Sequence, residues 1–149
     1  MALQQQIDQD IKSAMLAKDD ARLRGLRAIK AALLLARTEK GAAEQISDET
    51  EIRVLQKLVK QRRESADIYK AQNREDLYTI EIEEMNVIEG YLPKQLGRDE
   101  IMAHVQQAIS KVGATGIRDM GKVMGIVNKD LAGKADGKTI SELVKEALQ

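Results

Sequence analysis

The chain of 149 residues contains no cysteine, no phenylalanine and no tryptophan, and it has a single proline. Without cysteine there are no disulfides, no thiolate nucleophile and no thiolate metal site. Three tyrosines are the whole aromatic content, so the core must consist of aliphatic side chains and methionine. Proline, the usual helix breaker, occurs once, and the strong helix formers Ala, Leu, Glu, Lys, Gln and Arg dominate. The composition therefore predicts an all-α fold.

Net charge is also absent, since 24 Lys and Arg balance 24 Asp and Glu. The two signs are nevertheless separated along the chain. Residues 53–63 carry five basic side chains and no acidic one, and residues 75–89 carry six acidic side chains and no basic one. This contrast favours two helices that pair through charge over separate ligand sites. A basic helix that neutralises phosphates is the alternative.

Long hydrophobic runs are missing as well. The longest apolar stretch is residues 31–36, between Lys30 and Arg37, whereas a bilayer span needs about 20 apolar residues. The N-terminus lacks the basic region followed by an apolar run that marks a secretory signal. We therefore expect a protein of the cytoplasm without a membrane partner.

Apolar residues recur at helical spacing in four N-terminal segments and in three shorter C-terminal ones. Between the two groups, the only proline, Pro93, lies between Gly90 and Gly97, which predicts a boundary. Apolar neighbours predict that this linker is packed down. The expected order is an N-terminal domain of about four helices, a packed linker and a three-helix C-terminal domain, at residues 1–90, 91–97 and 98–149.

Two glycines interrupt the helix that is predicted from about Ile117 to Leu131. Gly121 and Gly125 lie one turn apart on one helix face, and each costs about 1 kcal/mol relative to alanine. A face without side chains lets another backbone or a ligand approach closely. Close packing of helices and a binding surface are both open interpretations of this pair.

A glycine-bounded turn, Gly133–Gly137, follows that helix and carries Lys134, and Lys138 comes directly after it. The free N–H groups at the start of a helix attract phosphate. The turn is therefore either a contact for an RNA backbone or simply a tight connection. The RNA-binding hypothesis assigns the contact to Gly121, Lys122, Gly125, Gly133, Lys134, Gly137 and Lys138.

Catalytic patterns are not evident. The only histidine, His104, lies inside a predicted helix, and a lone histidine does not make a zinc site. No serine has a neighbouring base, and no glycine-rich phosphate loop follows a strand. We expect no catalytic residue, no metal and no cofactor in this chain.

Three further segments carry a family resemblance: RLRGLR at residues 22–27, KQRRES at 60–65 and YLPKQL at 91–96. Together with the glycine signatures they resemble the YqeY family over nearly the whole chain. The C-terminal third also resembles the tail domain of the GatB subunit of the glutamine-dependent tRNA amidotransferase. That tail has a similar glycine–lysine turn before its last helix. The resemblance implies a helical fold.

The function implied by the resemblance is that of an accessory protein of the tRNA-dependent amidotransferase type. Its C-terminal domain would bind tRNA, or a tRNA-modifying or aminoacylating enzyme. By resemblance the chain would be classed with carbon–nitrogen ligases that use glutamine as amido donor, although its residues do not predict this activity for the chain alone. The alternative is a non-catalytic helical adaptor between proteins, without RNA contact.

Overall fold

The computed structural model describes residues 2–39, 41 and 45–149, and these residues form helices and turns without a β-strand. The predicted all-α fold is therefore confirmed. This part of the chain holds seven α-helices: α1 (Leu3–Leu16), α2 (Asp20–Glu39), α3 (Asp48–Ala71), α4 (Glu75–Glu89), α5 (Arg98–Val112), α6 (Met120–Asp130) and α7 (Gly137–Leu148). None of these helices, within the described ranges, has the length and apolar character that a membrane span requires.

The chain divides into two compact units, Met1–Leu92 and Pro93–Gln149. The segment predicted as a packed linker is shared between them. Tyr91 and Leu92 pack against the core of the first unit, and Leu96 packs against the core of the second. The domain bounds at residues 90 and 98 stay predictions.

Aliphatic stripes of α1 to α4 form the core of the first unit. Each of these helices turns one apolar face inward, as the periodicity of the sequence requires. All buried members of this core are aliphatic, in agreement with the scarcity of aromatic residues. They are Ile7, Ala14, Leu26, Ile29, Leu33, Leu55, Leu58, Val59 and Ile88.

Side-chain caps fix where α2 and α3 begin. The Asp19 carboxylate accepts a hydrogen bond of 3.1 Å from the backbone N–H of Arg22. The Ser47 hydroxyl accepts one of 3.1 Å from the backbone N–H of Thr50. Each bond satisfies a backbone donor that the first turn of a helix leaves free. Both Asp19 and Ser47 stand directly before a helical pattern of apolar residues in the sequence.

Helices α2 and α4 come into close contact at Gly25, which is buried where they meet. A Cβ built on Gly25 would lie 2.7 Å from the Cβ of Val87. The Cβ of a β-branched residue is fixed by the backbone, so Val87 cannot turn aside to make room. Gly25 therefore sets how closely α2 and α4 pack.

Helices α5, α6 and α7 surround the core of the second unit. Gly113, with φ of +66°, ends α5 in the left-handed conformation that glycine adopts without cost. The helix predicted from Ile117 begins later than expected, since Ile117–Asp119 is a 3₁₀ turn and α6 starts at Met120. The buried residues are Ile101, Val105, Ala108, Val123, Val127, Leu131, Ile140, Leu143, Val144 and Leu148.

We expect Gly25→Ala to lower the free energy of unfolding by about 1–3 kcal/mol, because the added methyl group forces α2 and α4 apart. Urea unfolding of the full chain, followed by circular dichroism, measures this change as a lower transition midpoint. An unchanged or raised midpoint would show that the crossing at Gly25 has room for a side chain.

Candidate functional site

Gly121 and Gly125 lie on the exposed side of α6, whereas Val123 and Val127 of the same helix are buried. A Cβ added at either glycine would meet no atom within 4 Å. Within the described part of the chain, nothing packs against this pair, so close helix packing is wrong as its explanation. We call the bare backbone at Gly121 and Gly125 the glycine strip.

Exposed cations accompany the glycine strip. Lys122 and Lys129 are seven residues apart, so they lie on the same side of α6 and about 10 Å apart along its axis. Arg118 precedes Lys122 by four residues, in the 3₁₀ turn before α6. Among residues 2–39, 41 and 45–149, none of these three cations has a carboxylate oxygen within 4.0 Å. They are therefore available to an external anion.

The nearest carboxylate in sequence, Asp119, is bound to its own loop. Its Oδ2 atom accepts a hydrogen bond of 3.0 Å from the backbone N–H of Thr115. Backbone hydrogen bonding, chiefly from Thr115, lowers the pKa of Asp119, and Lys122 and Arg118 lower it further. The ionised carboxylate holds the loop before α6 and offsets part of the positive charge at this end of the helix.

The turn between α6 and α7 is held by backbone contacts from the segment that precedes α5. The backbone N–H of Leu96 donates a hydrogen bond of 2.8 Å to the carbonyl oxygen of Lys134. The side-chain amide of Gln95 donates one of 2.7 Å to the carbonyl oxygen of Gly133. Gly133 itself has φ of +77°, which favours glycine. The exposed Lys134 side chain therefore projects from a fixed backbone.

Helix α7 begins at Gly137 without a side-chain cap. Asp136 occupies the capping position, but its carboxylate accepts no hydrogen bond from the helix. A Cβ at Gly137 would meet no atom within 4 Å, and Lys138 is exposed. The first N–H groups of α7 thus depend on solvent or on a ligand.

All seven residues of the RNA-binding hypothesis lie in the second unit, in two groups. Gly121, Lys122 and Gly125 belong to α6, and the other four belong to the turn and to the first residues of α7, namely Gly133, Lys134, Gly137 and Lys138. From Lys122 to the end of α6 the helix rises about 12 Å. The two groups are therefore separated along α6, with Lys129 between them in sequence.

Several arginines of the first unit are placed differently. Arg24 pairs with Glu83 at 2.7 Å, which links α2 to α4. Two arginines of α3 pair with carboxylates of α4, Arg62 with Glu84 at 3.7 Å and Arg63 with Glu89 at 3.5 Å. The charge contrast between residues 53–63 and 75–89 is thus a contrast between helices that pair, as the sequence predicted.

Glu81 of α4 is partly buried beside the ion pair of Arg62 and Glu84. Burial, and then the nearby Glu84, raises the pKa of Glu81, while Arg62 lowers it.

The described residues contain no group of three or more His, Cys, Asp or Glu arranged to hold a metal ion. His104 lies exposed on α5.

The residues that the RNA-binding hypothesis assigns leave out three contributors to the candidate surface. Arg118 and Lys129 follow from helical spacing relative to Lys122, and counting that spacing would have found them. The role of Gln95 in holding the turn has no local signal, because its acceptor Gly133 lies 38 residues away.

Comparison with known proteins identifies a family and a relative. The profile of the family described as Yqey-like protein matches residues 4–148. The protein named "Altered inheritance of mitochondria protein 41, mitochondrial" from Pyrenophora tritici-repentis (strain Pt-1C-BFP) is 30% identical over 142 residues. The alignment covers 93% of this chain and 77% of that protein.

Gly125→Ala should raise the free energy of unfolding by about 0.5–1 kcal/mol, because alanine is the better helix former and its methyl group meets open space. The expected sign is opposite to that of Gly25→Ala, and the same urea experiment measures both. A loss of stability at Gly125 would mean that another part of the protein covers the glycine strip.

Proposed function

Since this chain belongs to the YqeY family, we propose that it is an accessory protein of the tRNA-dependent amidotransferase type whose second unit contacts the tRNA backbone. The residues proposed for this contact are Gly121, Lys122, Gly125, Gly133, Lys134, Gly137 and Lys138. The partner is tRNA, alone or on a tRNA-modifying or aminoacylating enzyme.

One observation carries this proposal: the lysines at the candidate surface are exposed and make no ion pair with the described residues. The second unit has nine Lys and Arg against seven Asp and Glu, whereas the first unit has fifteen against seventeen. A polyanion binds where cations release its counterions, and cations already paired with carboxylates contribute less. The second unit is therefore the better candidate for RNA.

The chemistry of the surface supports contact with phosphates rather than with bases. All three tyrosines lie in the first unit, so the second unit has no aromatic ring on which an unpaired base can stack. The glycine strip offers bare backbone to a close neighbour, and lysines flank it. Recognition of this kind reads the position of a sugar–phosphate backbone and is independent of base sequence.

The amidotransferase part of the proposal is supported by the resemblance of the C-terminal third to the tail domain of GatB. That resemblance implies the class of carbon–nitrogen ligases that use glutamine as amido donor, but we do not propose this activity for the chain alone.

We propose a role in the cytoplasm; the relative from Pyrenophora tritici-repentis has "mitochondrial" in its name. Fractionation of cells that express the tagged protein tests the location.

The lysine pair Lys134 and Lys138 provides the sharpest test of the RNA contact. Changing both to alanine should weaken tRNA binding and reduce the magnitude of the log–log salt slope by about one to two, since each lysine neutralises about one phosphate. Filter binding or fluorescence anisotropy over a range of salt concentrations measures the slope. Changing Lys57 and Lys60 to alanine is the matched control, because both are exposed on α3 and lie outside the proposed surface.

Equal effects of the two lysine pairs would contradict the proposed position of the site. Absence of tRNA binding at low salt, where electrostatic contacts are strongest, would favour the adaptor without RNA contact. A pull-down with and without ribonuclease then separates partners held by RNA from partners held by protein.

Gly125→Leu tests the glycine strip independently of charge. A leucine at this position keeps the helix and fills the open space, so tRNA binding should fall while the unfolding midpoint stays at or above that of the unchanged protein. Gly125→Ala, with a much smaller side chain, is the control. Unchanged tRNA affinity for the leucine variant would remove the strip from the contact surface.

A further inference from the structure

A cleft of about 350 Å³ opens on the first unit between α1, α2 and the residues that end α4. This size falls at the small end of the range that accommodates small-molecule ligands. Polar side chains from all three elements line it, including Gln6, Asp10, Arg22, Asn86 and Tyr91. The proposed RNA surface uses none of these residues.

Two oppositely charged side chains, Arg22 and Asp10, lie in the cleft without a hydrogen bond between them. A terminal guanidinium nitrogen of Arg22 lies 3.8 Å from Oδ2 of Asp10, which is longer than a hydrogen bond. The Arg22 side chain is 48% exposed and that of Asp10 is 25% exposed. Guanidinium has five N–H donors, so Arg22 retains donors for a ligand.

Tyr91 fixes the carboxylate. Its hydroxyl donates a hydrogen bond to Oδ2 of Asp10, across 81 residues of sequence. Burial raises the pKa of the Tyr91 hydroxyl and the bond to Asp10 raises it further, against the influence of Arg22. The phenol therefore stays protonated and remains a donor at neutral pH. Oδ1 of Asp10 accepts no hydrogen bond from the described residues and is left for a donor from outside.

We propose that this cleft binds a small polar α-amino acid as its zwitterion. The α-carboxylate lies on the guanidinium of Arg22, and the α-ammonium lies on Oδ1 of Asp10. The side chain of the ligand meets the amides of Gln6 and Asn86. The proposal is independent of the proposed contact with tRNA.

Charge favours a zwitterion over the simpler ligands. One carbon atom separates the ammonium and the carboxylate of an α-amino acid, so its two charges can reach two side chains that lie as close together as Arg22 and Asp10. A plain anion would meet the Asp10 carboxylate, and a plain cation would meet the Arg22 guanidinium. A ligand with both charges can contact Arg22 and Asp10 together and adds no net charge to this ion pair.

Titration of the full chain with L-serine, followed by ¹H–¹⁵N NMR, tests the proposal. We expect saturable shifts at the backbone amides of the cleft residues, including Asn86 and Tyr91. L-serinamide lacks the carboxylate and N-acetyl-L-serine lacks the ammonium, so each should bind about tenfold or more weakly, the loss expected for one charge-assisted hydrogen bond. This comparison needs no variant and does not depend on the folding of one.

Variants locate the two charges. Arg22→Gln should weaken L-serine binding about tenfold or more, and so should Asp10→Asn. Lys30→Gln is the matched control, because it removes another ion pair between α2 and α1, the one at 2.8 Å to Asp8, and Lys30 does not line the cleft. The control should leave L-serine binding unchanged.

Two results would overturn the inference. If L-serine gives no saturable shift with a Kd below about 10 mM, the Asp10, Arg22 and Tyr91 cluster is a structural tie between α1, α2 and the end of α4. If N-acetyl-L-serine binds as well as L-serine, the cleft takes a carboxylate and not a zwitterion.

Discussion

The crossing of α2 and α4 at Gly25 is the constraint on which the first unit depends. With only 2.7 Å between the position of a Cβ on Gly25 and the Cβ of Val87, the two helices pack at a distance that other residues would not permit. Arg22 lies one turn before Gly25 and Tyr91 one turn after Val87, so the same crossing brings both to the cleft. The buried residues of this core are all aliphatic, and close contact between their stripes excludes water.

The ion pairs that join α4 to α2 and α3 add little stability. They matter more because they neutralise arginines that would otherwise be free to bind an anion. Solvent-exposed pairs contribute about 0–1 kcal/mol each, and Arg24–Glu83 and Arg63–Glu89 are of this kind. Their consequence is electrostatic, because carboxylates of α4 occupy Arg24, Arg62 and Arg63. In the second unit, Arg98 pairs with Glu142 and Glu146, while the lysines of α6 and of the following turn keep their charge free among the described residues. A chain with zero net charge thus still offers a cationic surface.

Local signals predicted much of the fold. Helical spacing and the complementary charges of α3 and α4 each have a short-range or pairwise physical cause that the sequence displays. The glycines show where this reasoning fails. Gly121 and Gly125 repeat at helical spacing and attract attention, yet the closely packed glycine is Gly25, whose partner Val87 lies far away in sequence. Whether a glycine meets open space or a neighbouring helix is decided by tertiary packing.

The cleft could not be predicted from the sequence for the same reason, since Asp10 and Tyr91 show no pattern until folding brings them together across 81 residues.

The two proposed sites differ in their electrostatics, so their ligands should respond differently to salt. Contacts between lysines and a polyanion release counterions, so RNA binding weakens steeply as salt is added. The cleft presents one positive and one negative group to a ligand of zero net charge, so amino-acid binding there depends on short-range hydrogen bonds and changes little with ionic strength. Measured in the same buffers, a steep salt dependence for tRNA and a flat one for L-serine would show that the chain binds a polyanion and a zwitterion by different physics. A steep dependence for both would place L-serine on the lysines and not in the cleft.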